Sequence, residues 1–161
     1  CKAGIGDANY RSNRGRVYQM TFVFSQRSLN NLAHVHADLV KVCHAALAIT
    51  PVDFGVIEGR RTGLRQHELF RSGKSQLDFP GPPGQQIGRH LTGKAIDFMA
   101  CVDGVGTWDD EYYPQIAAVM KKVAHDLGVP IVWGGDWESF KDNDHVELER
   151  HAYPDQPELI A

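Results

Sequence analysis

The segment KAIDFMA, residues 94–100, sets a carboxylate in the middle of an apolar, β-prone run. Side chains alternate across a strand, so Ala95, Asp97 and Met99 share one face and Ile96 and Phe98 the other. A chain carrying such a strand needs a sheet with one face buried in a core and one face able to hold a charge. His90 stands seven positions before Asp97, across a turn that contains Gly93. That spacing asks for a further polar partner from elsewhere in the chain.

The rest of the sequence supplies the layers such a sheet requires. Ser28 is expected to cap a short helix carrying Leu29 and Leu32. A second helix covers about 36–48, with Leu39, Val40, Cys43 and Leu47 on one side. PVDFGVIEG reads as a strand over 53–58. TGLRQHELFRSG reads as a helix with Leu64, Leu69 and Phe70 as its apolar positions and Gly73 as its stop. Prolines and glycines make 74–90 a loop. YYPQIAAVMKKVAHDLG is a helix with Ile116, Val119, Met120, Val123 and Leu127 at helical spacing and Gly128 as its cap. VPIVWGG is a short strand and turn. HVELER is a strand with Val146 and Leu148 facing one way and His145, Glu147 and Glu149 the other. Helices and mostly antiparallel strands in this order make an α+β fold, a small sheet packed against helices.

Composition narrows the class. A chain of 161 residues should bury roughly 70% of its unfolded surface, enough for one core without disulfide staples. We expect a single domain over 20–161, with 1–19 an N-terminal extension or upstream remnant, because MTFVFSQRSLNNL from Met20 reads as a natural beginning. A net charge of −3 gives no electrostatic reason to expect nucleic acid. No apolar run approaches the ~20 residues of a membrane span. No basic-then-apolar leader is visible, so action outside the cytoplasm calls for another export route or a leader already removed. The cysteines form no CxxC pair, and Cys43 fits a buried small hydrophobe.

If KAIDFMA and HVELER belong to one sheet, His90, Asp97 and His145 can converge. Two imidazoles and a carboxylate leave one position of a tetrahedral zinc open for water, as in a catalytic rather than a structural site. Such a site also needs a base and a cation for the oxyanion. Asp142, three residues before His145 in KDNDH, can reach the same water, whereas Asp144 is expected to point away. Arg60 and Arg61 in IEGRRTG are both candidates for the cation. His34, His36, His44, His67, His125 and His151 fit surface or hydrogen-bonded residues. DGVGTWDDEYY, with Asp103, Asp109, Asp110 and Glu111, lacks EF-hand spacing and reads as a solvated acidic loop.

GRHLTGKAIDF, followed after 34 residues by WGGDWESFKDNDHVEL, resembles the signature of the zinc D-Ala-D-Ala carboxypeptidase family, and within it the phage L-alanyl-D-glutamate endolysins. FSQRSLNNLAHVHADLVKVCHAAL and VIEGRRTGLRQHELFRSGKS extend the likeness over roughly residues 22–150. The resemblance implies a compact α+β fold, shared with the hedgehog signalling domain, and a single Zn2+. It implies His90, Asp97 and His145 as metal ligands, Asp142 as catalytic acid and base, and Arg61, in preference to Arg60, as the oxyanion cation. It further implies a bacterial peptidoglycan stem peptide as substrate, cut at L-Ala–D-Glu. D,D-carboxypeptidase activity and a non-catalytic zinc-containing wall-binding domain are the alternatives. A monomer is expected, made in the cytoplasm of a bacterial host and acting on the cell wall or periplasm after release. Trp133 and Trp137 fit core or rim packing better than stacking on peptidoglycan. One departure stands out: relatives often have Ser two residues before the first histidine, where this chain has Gly88. A hydrogen bond then falls to Thr92 or to water.

Overall fold

A computed structural model describes residues 21–155; the expected extension at 1–19 lies outside them. Three helices precede the second strand or lead into it: α1 (Gln26–Leu32), α2 (Ala37–Leu47) and, after β1 (Asp53–Glu58), α3 (Gly63–Arg71). Then come β2 (Ala95–Val102), β3 (Val105–Thr107), α4 (Tyr113–Leu127), β4 (Ile131–Trp133), a 3-10 turn at Gly134–Asp136 and β5 (His145–Leu148). The sheet runs β1-β2-β5-β4, with β3 added to β2. Every strand pairing among the described residues is antiparallel, so the α+β expectation holds.

Alternation along the central strands divides the sheet into two unlike faces. Ile96, Phe98 and Ala100 of β2, Phe54 and Val56 of β1, and Val146 and Leu148 of β5 are buried in the core. Leu39, Val42, Cys43, Ala46 and Leu47 of α2 and Ile116, Ala117, Met120 and Ala124 of α4 join them. Each large side chain moved from water into this layer contributes about 1.5–3 kcal/mol. The rings of Phe54, Phe98 and Tyr113 pack in sequence, at 5.8 and 5.5 Å between centroids. Burial pushes the Cys43 thiol up to about 12, as suits an inert core residue.

Several local expectations are corrected. Ser25, not Ser28, caps α1; Ser28 is buried inside the helix, and its hydroxyl accepts from Val56 N–H at 3.1 Å, tying α1 to β1. In α3, Leu64 and Phe70 are exposed and the buried positions are Gln66 and Leu69. The inner side of α3 is anchored by polar bonds: Gln66 Nε2 donates to Ser75 Oγ at 2.8 Å and to the Leu77 carbonyl. Leu127 at the end of α4 is also exposed. Past Gly128, which is left-handed at φ 67°, Val129 turns back into the core, its N–H bonded to Ala124 O at 2.8 Å. That is a Schellman closure, in which the residue beyond the glycine completes the apolar stripe. Finally, the acidic stretch contains β3: Asp103 (φ 51°) and Gly104 (φ 77°) form the two-residue turn of a β2–β3 hairpin, a signal carried by the Asp-Gly pair itself.

Candidate metal centre

The polar face of the sheet gathers the candidate residues in one row. Asp97 pairs with Glu58 of β1 on one side and with His145 of β5 on the other. The register of β1 slips by one residue between Val56 and Glu58; this bulge sets Glu58, rather than Ile57, opposite Asp97. His90 arrives from the loop. Its turn closes through Gly93 N–H to His90 O at 3.1 Å and Lys94 N–H to Arg89 O at 2.9 Å. Gly93 takes φ 68°, and a Cβ there would come within 2.5 Å of the His34 carbonyl oxygen, so glycine alone fits. Beneath the turn, the fully buried Arg89 guanidinium donates to Tyr153 O and Asp155 Oδ1, both at 2.8 Å, and to Leu148 O. Thr92, considered above as a stand-in for the missing serine, bonds to Arg89 O and Asp155 instead.

The result is a tight triangle. His90 Nε2 lies 3.1 Å from Asp97 Oδ1 and 3.3 Å from His145 Nδ1, and His145 Nδ1 lies 3.2 Å from Asp97 Oδ1. Ligands held at ~2.0–2.1 Å from a tetrahedral ion are separated by about 3.3 Å, so the three atoms match the edges of one zinc-sized tetrahedron. Their chemistry agrees. His90 Nδ1 faces the Gly59 carbonyl at 2.8 Å and His145 Nε2 faces Glu147 Oε2 at 3.1 Å. Both of those partners accept, so in the neutral imidazoles each outer nitrogen donates and each inner nitrogen presents a lone pair. Two lone pairs and a carboxylate oxygen then face one another, an arrangement that a cation satisfies. Both histidines are buried and Asp97 is half-buried. Burial opposes the charge on Asp97, but His90 and His145 outweigh it and hold the carboxyl far below the usual carboxylate range. Burial likewise opposes charge on His145, yet its bonds to Asp97 and Glu147 prevail and push it up to about 9.

Around the triangle, Arg61 reaches the site and Arg60 is exposed. Arg61 Nη2 bonds to Glu58 and lies 3.4 Å from Asp97 Oδ2, and Nη1 donates to Gln66 Oε1 at 2.9 Å. The Arg61 N–H holds the His90 carbonyl at 2.9 Å, so the two loops are stitched together at their backbones. Asp142 sits on the loop entering β5. Its carbonyl accepts from His145 N–H at 3.2 Å, and its backbone packs against Gly134, where a Cβ would meet Asp142 O at 2.4 Å. Asp144 is half-buried, and its carboxyl is raised to about 7, by burial first and then by the neighbouring carboxylates of Asp142 and Asp97. Strand alternation holds only inside β5, which begins one residue later. Alternation did place Glu147 on the His145 face, but Glu58 was hidden by the bulge.

The remaining candidates separate cleanly. Trp133 is a core residue whose Nε1 donates to Asn143 O at 2.8 Å. Trp137 is half-buried at the rim, its ring 5.1 Å from that of His145. His36 caps α2, His67 pairs with Asp78 at 2.7 Å and His44 packs edge-on against Phe24. His34, His125 and His151 are exposed. Among the described residues, His90, Asp97 and His145 are the one group arranged to hold a metal.

The family model of phage L-alanyl-D-glutamate peptidases matches residues 20–159. The chain belongs to this family. Similar members include the L-alanyl-D-glutamate peptidase of Escherichia phage T5, 32% identical over 135 residues, covering 83% of this chain and 94% of that one. The peptidoglycan L-alanyl-D-glutamate endopeptidase CwlK of Bacillus subtilis is 30% identical over 133 residues, 74% of this chain and 73% of its own. Among solved structures, the L-Ala D-Glu endopeptidase ChiX of Serratia marcescens superposes with a TM-score of 0.73 at 40% identity, over 83% of this chain and 95% of that chain. Family membership and the shared fold thus agree with the geometry of the triangle.

Proposed function

We propose that this chain is a zinc-dependent peptidase that hydrolyses the L-Ala–D-Glu bond of the peptidoglycan stem peptide. The observation that carries the reading is the triangle of His90, Asp97 and His145, three acceptors at ligand spacing in a chain matched along 20–159 by a peptidase family. Zinc, when bound there, supplies a Lewis acid and an acidified water. The protein's own groups do the rest. Asp142 takes the proton of the attacking water and delivers it to the leaving amine of D-Glu. Asp144, two residues along the same loop, has its carboxyl raised to about 7 by burial and by the neighbouring carboxylates, which keeps a second acidic group beside Asp142. Arg61 exchanges its long contact to Asp97 Oδ2, 3.4 Å, for the carbonyl oxygen as it gains charge. One such donor contributes about 3 kcal/mol of transition-state stabilisation.

No helix among the described residues is long and apolar enough to cross a membrane. We place the action at the bacterial cell wall, on peptidoglycan, with a monomer made in the host cytoplasm as the working unit. The deciding experiment is mass spectrometry of digested muropeptides. New fragments beginning with D-Glu are expected. Released D-Ala instead would assign a carboxypeptidase, and zinc binding without any hydrolysis would assign a wall-binding role.

A further inference from the structure

Glu147 takes no part in the proton transfers assigned above, yet its contact with His145 bears on which imidazole nitrogen faces His90 and Asp97. The two residues share a strand face, and Glu147 is buried. Its Oε2 lies 3.1 Å from His145 Nε2. With that acceptor in place, Nε2 keeps the proton and Nδ1 keeps its lone pair toward Asp97 and His90. Without it, the imidazole can adopt the other tautomer, which turns an N–H into the triangle and removes one ligand atom.

The Glu147 carboxylate is itself held. Its Oε1 lies 3.4 Å from Arg150 Nε, and Arg150 Nη1 lies 2.8 Å from Asp155 Oδ2. The other oxygen of Asp155 takes Arg89 at 2.8 Å, and Arg89 is the residue before His90. A continuous polar chain therefore runs from one histidine, through β5 and the segment beyond it, to the turn bearing the other histidine. Each carboxylate in the chain meets a guanidinium, so no charge along it lacks a counterpart.

We propose that Glu147 is a positioning residue for the metal centre, locking His145 in the Nδ1-coordinating tautomer, with Arg150 and Asp155 bracing it. This rests on the zinc reading above. The test is zinc affinity, measured by chelator competition on the full chain, for wild type, Glu147→Ala and Glu147→Gln. Loss of such a histidine partner typically weakens metal binding about 10- to 100-fold. That loss is expected for Glu147→Ala at unchanged circular dichroism. Glu147→Gln keeps an acceptor for Nε2 and should recover affinity to within about fivefold of wild type. Cobalt-substituted Glu147→Ala should also show a shifted visible absorption band, which Glu147→Gln restores.

Wild-type zinc affinity retained in Glu147→Ala overturns the proposal and leaves the zinc reading standing; no zinc bound by wild type overturns both. Should Glu147→Ala fail to fold, long-range proton–nitrogen NMR of the zinc-loaded wild type decides. Protonated Nε2 on His145 and protonated Nδ1 on His90 are expected. Protonated Nδ1 on His145 would refute the assignment.

Discussion

The two faces of this sheet are built on different principles. On the helical side, Phe98 meets Phe54 and Tyr113 within a layer to which α2 and α4 both contribute. Each contact there is one of many, and the loss of any one is shared by its neighbours. On the other side, His90 has Gly59, His145 has Glu147, and Arg61 is divided among Glu58, Gln66 and Asp97. Those groups have named partners and little redundancy. The apolar face stores the stability; the polar face holds specific atoms at specific distances, and a change there should cost chemistry before it costs the fold.

The sharpest way to break this contrast is to mutate both faces and compare. Asp142→Ala should lower turnover by about 10²–10⁴-fold, the usual worth of a general base, while zinc content stays at wild type. Phe98→Ala should cost about 3–5 kcal/mol in a denaturant titration, while the surviving folded molecules keep their kcat. If Asp142→Ala unfolded the protein, or Phe98→Ala abolished kcat in folded material, the division of labour would be wrong. Next in size, Arg61→Gln should lose about 10²-fold in kcat/KM, corresponding to the ~3 kcal/mol of one oxyanion donor. Steady-state kinetics on a defined muropeptide would measure it.

Proton competition gives a smaller and signed effect. In the metal-free protein His145 is raised from 6.5 to about 9, so at neutral pH it holds a proton that an incoming ion must expel. Zinc affinity should rise about tenfold per pH unit toward 9 and flatten above it, with about one proton released per ion in calorimetry across buffers. For stability the sign follows linkage: the raised pKa stabilises metal-free protein fully below 6.5. That contribution is lost as pH rises through about 9. Melting of chelated protein between these values should show the decline. The smallest change expected is Gly88→Ser. The nearest atoms to a Cβ there, from Leu77, Gln66 and Leu91, lie at an ordinary contact distance of 3.7–3.8 Å, so stability should stay within about 0.5 kcal/mol. Thermal melting would check it.

The same contrast explains what could be read from the chain beforehand. β1 at 53–58 and α4 ending at Gly128 follow from periodicity, because local pattern and core packing agree there. The convergence of the three side chains was legible too, since strand alternation gives Asp97 and His145 their face and the histidine–aspartate spacing brings in His90. What stayed hidden depends on partners distant in sequence. Leu64 and Phe70 look like a buried stripe, but α3 is fastened through Gln66 to Arg61, Ser75 and Leu77. Arg89 goes unremarked in the sequence because the Asp155 that pairs with it in the interior lies 66 positions away. The raised carboxyl of Asp144 escapes because it depends on burial beside Asp142 and Asp97, one residue before β5 begins, where alternation no longer applies.

The central claim is that His90, Asp97 and His145 together grip one divalent ion. Its most direct test is elemental analysis of protein stripped with chelator, reloaded with zinc and passed through a desalting column, for wild type and for each of the three alanine variants. One zinc per wild-type chain, and close to none in any variant, is the result predicted here. Stoichiometric zinc persisting in His90→Ala, Asp97→Ala or His145→Ala, or no zinc in wild type, would contradict it.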